Sequence, residues 1–166
     1  MKMLHNARGT TFEDLAPGSV FRFPFEGRFI TALKMRDPKD GSGCALVLIS
    51  NQKNWPRFHI FIPKIALDRP EVVELLDVSV KPVGDAVPGP GPGSVTEPGG
   101  IELRENKFFL VIPTPKGQSR RVNLESGDIV LDVPGTVLEI HREWELVQTI
   151  NGETVSLYQH MALHAE

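Results

Sequence analysis

The residues best suited to chemistry by type and spacing lie in NQKNWPRFH, residues 51–59. Lys53 and Arg57 alternate there with Trp55 and Phe58. That interleaving suits a single-stranded nucleic acid, whose bases stack on rings while cations neutralise its phosphates. A second basic segment, PTPKGQSRR (113–121), supplies Lys116, Arg120 and Arg121 without the aromatics. Two such loops on one surface would form a nucleic-acid-binding module. The competing reading folds Trp55 back on a sheet edge and leaves the cations solvated, in keeping with a net charge of −3.

Other chemistries find less support. Cys44 sits in DGSGCALVL, a glycine-rich turn entering an apolar strand. An activated thiol wants a helix N-terminus or a cationic neighbour, so Cys44 reads as structural. The five histidines are scattered. As a strand, HREWE would set His141, Glu143 and Glu145 on one face, and a following hairpin would bring His160 opposite Glu143. A solvated strand face explains these residues, and no metal site is expected. No phosphate-binding loop is present, because the glycines of 84–100 alternate with prolines that lack an N–H. No catalytic set and no cofactor are expected. An enzyme would need a pocket between two units, with distant polar residues such as His59, His141, Glu143 and His160 gathered in it.

The elements that would position these residues are strands. SVFRFPF (19–25) alternates Phe21, Phe23 and Phe25 against Val20, Arg22 and Pro24. RFITALKM (28–35) follows, and CALVLIS (44–50) is a continuous apolar run that reads as buried on both faces. RFHIFIPK, IELRE, KFFLVIP, RRVNL and DIVLDV are further short strands bounded by turn residues. WELVQTINGETVSLYQH (144–160) predicts a hairpin turning on Asn151-Gly152, with Leu146 facing Leu157 and Gln148 facing Val155. A helix over 136–150, capped by Thr136 and Glu139, is its alternative. DRPEVVELL (68–76) could likewise make one or two helical turns.

GDAVPGPGPGSVTEPGG (84–100) holds ten glycines and prolines in seventeen residues and reads as a connector. It divides the 166 residues into an N-terminal β unit (1–83), the linker and a C-terminal β unit (101–166). The units carry +3 and −4, an opposition that suits docking of one half on the other or on a second copy. A 64-residue shift lays 46–73 over 110–137 with eight identities in 28, which would make the units an internal repeat. The expected fold is all-β: two small barrel-like or sandwich units joined by the Pro/Gly-rich connector.

Phe12, Asp14, Leu15, Gly18 and Phe21 form F-x-D-L-x-x-G-x-x-F, followed by the strands ITALKM and CALVLIS. Residues 11–50 thereby resemble small all-β proteins of phages and bacteria, which implies a fold class and no activity. One cysteine, no signal-like apolar core and no membrane-length apolar run point to a cytoplasmic protein without a membrane partner. The leading functional expectation is a non-enzymatic binding or assembly module acting through protein contacts, with a protein partner or self-association. Exposed strand edges and oppositely charged halves favour it.

Overall fold

The computed structural model describes residues 6–25, 27–48, 58–61, 71–89, 96–113, 119–130 and 135–161, with backbone alone over 58–61. These residues form fifteen strands and no helix, as the composition predicts. Segment 71–75 is a strand, so the helical alternative for DRPEVVELL does not hold there, nor does the helix over 136–150.

The first sheet contains β1 (Ala7–Thr11), β2 (Val20–Phe25), β3 (Arg28–Arg36), β4 (Gly43–Leu48), β5 (Phe58–Phe61) and β6 (Glu71–Leu75). Its order is β1-β6-β2-β3-β4-β5. The second contains β8 (Val87–Pro88), β9 (Ile101–Arg104), β10 (Lys107–Pro113), β11 (Ser119–Asn123), β12 (Ile129–Val130) and β13 (Glu139–His141). Its order, read in the matching direction, is β8-β13-β9-β10-β11-β12. A smaller sheet joins β7 (Val78–Val83), β14 (Glu143–Ile150) and β15 (Glu153–His160), with β14 in the middle. The sheets are antiparallel and sandwich-like, and none closes into a barrel.

Both six-stranded sheets follow one plan: first strand, last strand, then a four-stranded meander. Both last strands then feed the third sheet, where β7 pairs with β14. The registers match as well. In the first sheet Ala7, Leu75, Val20, Leu33, Leu46 and Ile60 form one row across the strands. In the second the row is His141, Ile101, Leu110, Val122 and Ile129. Leu33 thus corresponds to Leu110 and Leu46 to Val122. The 64-residue shift instead sets Leu46 over Leu110, one strand out of step.

These rows exist because strands alternate their side chains. Val20, Leu33, Leu46 and Leu75 share one buried cluster with Ile101, Leu110, Val122, Trp144 and Tyr158, so residues on both sides of the 84–100 stretch fill a single core. Alternate residues, Phe21, Phe23, Ala32, Ala45 and Val47, face the other way. They are covered by the β1–β2 loop through Phe12 and Leu15. β4 is therefore buried on both faces, as its unbroken apolar run implies. Lys34 ties the loop down: its Nζ donates to the Phe12 and Glu13 carbonyls at 2.7 and 3.1 Å and lies 4.6 Å from the Phe12 ring. Burial lowers its pKa, while Glu13 and Asp14 oppose that shift.

The 84–100 stretch is more than a connector in its described parts. Val87–Pro88 pair with Ile140 and Glu139, making β8 an edge strand of the second sheet. At the other end Thr96, Gly99 and Gly100 are buried, and the Gly99 carbonyl accepts the Trp144 indole N–H at 2.8 Å. The stretch thus stands where the β1–β2 loop stands in the first sheet. The C-terminal hairpin turns on Asn151 and Gly152, both with positive φ (52° and 83°), as expected. Gln148 faces Val155, but a bulge after Leu146 sets Leu146 opposite Tyr158 instead of Leu157.

The two large sheets meet at a pair of glycines, Gly18 and Gly127. Arg36 N–H donates to the Gly127 carbonyl and Gly18 N–H to the Lys34 carbonyl. A Cβ on Gly127 would lie 2.3 Å from the Gly18 nitrogen and 2.7 Å from the Lys34 oxygen, at a φ of +69°. Gly127→Ala is therefore expected to lower unfolding free energy by about 2 to 4 kcal/mol in urea titrations. Gly9→Ala, where a Cβ meets nothing within 4 Å, should change it little.

Candidate functional site: an inter-sheet cavity and an aromatic hairpin tip

Of the residues expected to bind nucleic acid, Lys53, Trp55, Arg57 and Lys116 lie outside the described residues. Phe58 opens β5, where the backbone alone is described. Arg120 and Arg121 lie on β11, opposite Ile112 and Val111. Arg120 is half-buried. Arg121 is held inward: its Nε and Nη2 donate to the two Glu102 carboxylate oxygens at 2.8 and 3.0 Å. Arg104 Nε adds a bond to the same carboxylate at 2.9 Å. Glu102 is wholly buried on the outer face of the second sheet. Burial pushes its pKa up, but the hydrogen bonds and charge of Arg121, with the charge of Arg104, outweigh that and hold it below the usual 4.5.

The histidine and carboxylate candidates do not converge. His141 ends β13 in the second sheet, whereas Glu143 opens β14 in the third. Trp144, not Glu143, lies opposite His160, and the His160 ring stacks on the indole at 5.7 Å. His141 Nε2 lies 3.4 Å from the exposed Glu139 carboxylate, while its buried Nδ1 has no hydrogen-bond partner. Among the described residues no three metal-ligating side chains gather. Cys44 is buried, and its surroundings push the thiol pKa up to about 11, first by desolvation and then through Asp37 and Asp40. That shift is opposite to thiolate activation.

Two features remain. The first is a cavity of about 340 Å³ where the three sheets meet. Val20 and Leu33 wall it from the first sheet, Val80 and Leu146 from the third, and Phe108 and Leu110 from the second. Ser79, Asn106, Lys107 and Glu125 supply its polar lining. None of His141, Glu143 and His160 lines it. Its chemistry is that of an apolar receptacle with a few polar groups.

The second is the β2–β3 hairpin tip. Phe25 and Arg28 face each other across the turn, and Phe29 pairs with Pro24. From the interior, Phe12, Phe21, Phe23 and Phe25 step outward at ring separations of 5.5, 5.9 and 6.4 Å. Phe29 ends 69% exposed and Phe25 37%. The corresponding tip of the second sheet, at Arg104 and Lys107, is charged, and Arg104 is held by Glu102 and the Gly135 carbonyl. Sequence reading missed the aromatic tip because SVFRFPF and RFITALKM register as strands. The signal was Phe25 and Phe29 flanking the turn at Gly27, too far along the strands for the sheet to cover.

Compared with known proteins, the chain matches no family model, no curated protein and no solved structure.

Two predictions follow from the buried polar groups. Glu102→Gln leaves two largely buried guanidinium groups without their carboxylate and should cost about 3 to 5 kcal/mol at pH 7. Glu102 contributes stability above its unfolded value of 4.5 and loses it as pH falls through the lower folded value. The wild type should therefore lose more stability than Glu102→Gln between pH 5 and pH 3, read by urea titration at each pH. His141→Leu installs the residue found at the matching position 75, removes the orphaned Nδ1 and should stabilise by about 1 kcal/mol. A calorimetric Tm a few degrees higher would show it.

Proposed function

We propose that the chain is a non-enzymatic assembly module acting through protein–protein contacts, in the first place with further copies of itself. The exposed Phe29 carries this reading. A phenylalanine 69% exposed opposite Pro24 forms an apolar knob, with a second exposed ring, Phe25, on the other face of the same hairpin, and aromatic side chains are the usual anchors of protein interfaces. The knob sits at the end of two paired strands, so little ordering entropy is lost on docking. The matching tip of the other sheet is charged, which argues for a specific role over a general property of the fold.

Nucleic-acid binding is the weaker reading. Arg121, one of its expected cations, is neutralised by Glu102. No helix among the described residues is long and apolar enough to cross a membrane. We also read the two six-stranded sheets as products of an internal duplication. The shared strand order and matching apolar rows support this, with a shift that varies along the chain because the loops differ in length.

Sedimentation velocity over a wide concentration range tests the assembly reading. The wild type should associate as concentration rises, and Phe29→Ser should weaken that association about tenfold or more. A wild type that stays monomeric throughout would overturn it.

A further inference from the structure

We infer that Asn151 is a site of covalent self-modification, where the chain deamidates at a rate set by the opening of its own C-terminal hairpin. The inference stands on the β14–β15 turn alone and does not draw on the assembly reading.

Asparagine is among the thermolabile residues, and of the six in the chain only Asn151 is followed by glycine. That neighbour matters because deamidation begins when the following residue's amide nitrogen attacks the asparagine Cγ. Glycine has no side chain to block the approach. Asn151 and Gly152 are both exposed, and a Cβ on Gly152 would meet nothing within 4 Å. The Asn151 carboxamide has no hydrogen bond to a described residue. By contrast, Asn6 donates to the Asp77 carboxylate at 2.7 Å, and Asn123 accepts from the Glu125 and Ser126 N–H groups. A held amide must give up those bonds before it reacts.

The chemistry needs only water. The Gly152 nitrogen loses its proton to hydroxide and bonds to the Asn151 Cγ, and the carboxamide nitrogen leaves as ammonia. The resulting succinimide then takes up a water molecule. Opening at Cγ gives aspartate in an unchanged backbone. Opening at the main-chain carbonyl gives isoaspartate, which adds a carbon to the backbone. Either product carries a new carboxylate, and no electrons are transferred.

The folded turn holds this reaction back. Ile150 pairs with Glu153, so Asn151 and Gly152 are the whole loop. Their φ values of 52° and 83° are those of a type I′ turn. The first residue of that turn has a ψ of about +30°. At that angle the Gly152 nitrogen lies nearly anti to the Asn151 Cβ. Attack needs the nitrogen on the same side as the side chain, within about 3.5 Å of the Cγ. Asn151 must therefore rotate its ψ out of the turn, which the pairing of β14 with β15 opposes. Isoaspartate then lengthens the loop, and the positive φ pair that matches the strand twist is lost. Opening permits the reaction, and the product disfavours closing.

The test incubates the full-length chain in warm, mildly alkaline buffer, once folded and once in urea. Peptide mapping by mass spectrometry locates the new carboxylate, and enzymatic methylation reports isoaspartate. In the folded chain Asn151 should convert ahead of the other asparagines, and in urea it should convert about tenfold faster or more. Thr154→Gly weakens the exposed Thr149–Thr154 pair nearest the turn and leaves Asn151-Gly152 intact. It should speed conversion of the folded chain about twofold or more. Equal rates in buffer and urea would show that the turn is no gate and overturn the inference. So would earlier conversion of a different asparagine, or a folded chain still unmodified at Asn151 when the urea sample is exhausted. Should Thr154→Gly fail to fold by circular dichroism, the comparison of folded and urea-treated wild type decides the matter.

Discussion

The structure depends on the mutual burial of two apolar rows, one from each six-stranded sheet. Neither row has another way out of water. The segments supplying them are each well below a hundred residues, a size at which an isolated core is marginal. Leu33 and Leu46 on one side, with Leu110 and Val122 on the other, fill one cluster with Trp144 and Tyr158. The rest of the chain accommodates that contact. Gly18 and Gly127 let the backbones approach where a Cβ would collide. The pairing of β7 with β14 closes the gap the two sheets leave, and Gln148 ties it to the first sheet by donating to the Asn6 and Leu76 carbonyls at 2.6 and 2.7 Å.

With both inner faces committed, each outer face needs its own cover, and the two solutions differ. The first sheet uses rings: Phe12 lies edge-on to Phe21, and Lys34 straps the loop over them. The second places Glu102 where Phe21 stands and neutralises it with Arg104 and Arg121. Aromatic burial is favourable by itself, whereas a buried carboxylate is tolerable only while both arginines hold it. The ion cluster therefore adds specificity more than stability. It fixes which residues of β9 and β11 lie together, since either arginine out of register would strand a buried charge.

This difference explains what could be read from the sequence. Strand existence was legible wherever alternation or an unbroken apolar run was strong, as in β2, β4, β14 and β15. The Asn151-Gly152 turn was legible because its backbone demands those residues. Sheet partnership was not, because it is set by contacts far apart in the chain. The 64-residue shift matched apolar runs by composition and joined β4 to β10, whereas hydrogen bonding makes β11 the counterpart of β4. Arg121 looked like a surface cation because nothing in RRVNL reveals a buried glutamate 19 residues upstream. The proline-glycine run looked like a bare connector because β8 is only two residues long and Thr96 and Gly99 are buried by their surroundings.

The two hairpin tips show where the matched sheets part company. At the β9–β10 tip, Glu105 and Asn106 turn the chain with positive φ, and Arg104 reaches back to the Gly135 carbonyl. That tip is secured within its own molecule. The β2–β3 tip continues the phenylalanine series outward as far as Phe25, and on the other face of the hairpin Phe29, opposite Pro24, ends in water with its ring largely unburied. Hydrating that ring costs free energy that a charged residue would avoid. The other sheet shows that this fold tolerates charge at such a tip. The aromatic tip is thus a departure from good packing that the matched tip avoids.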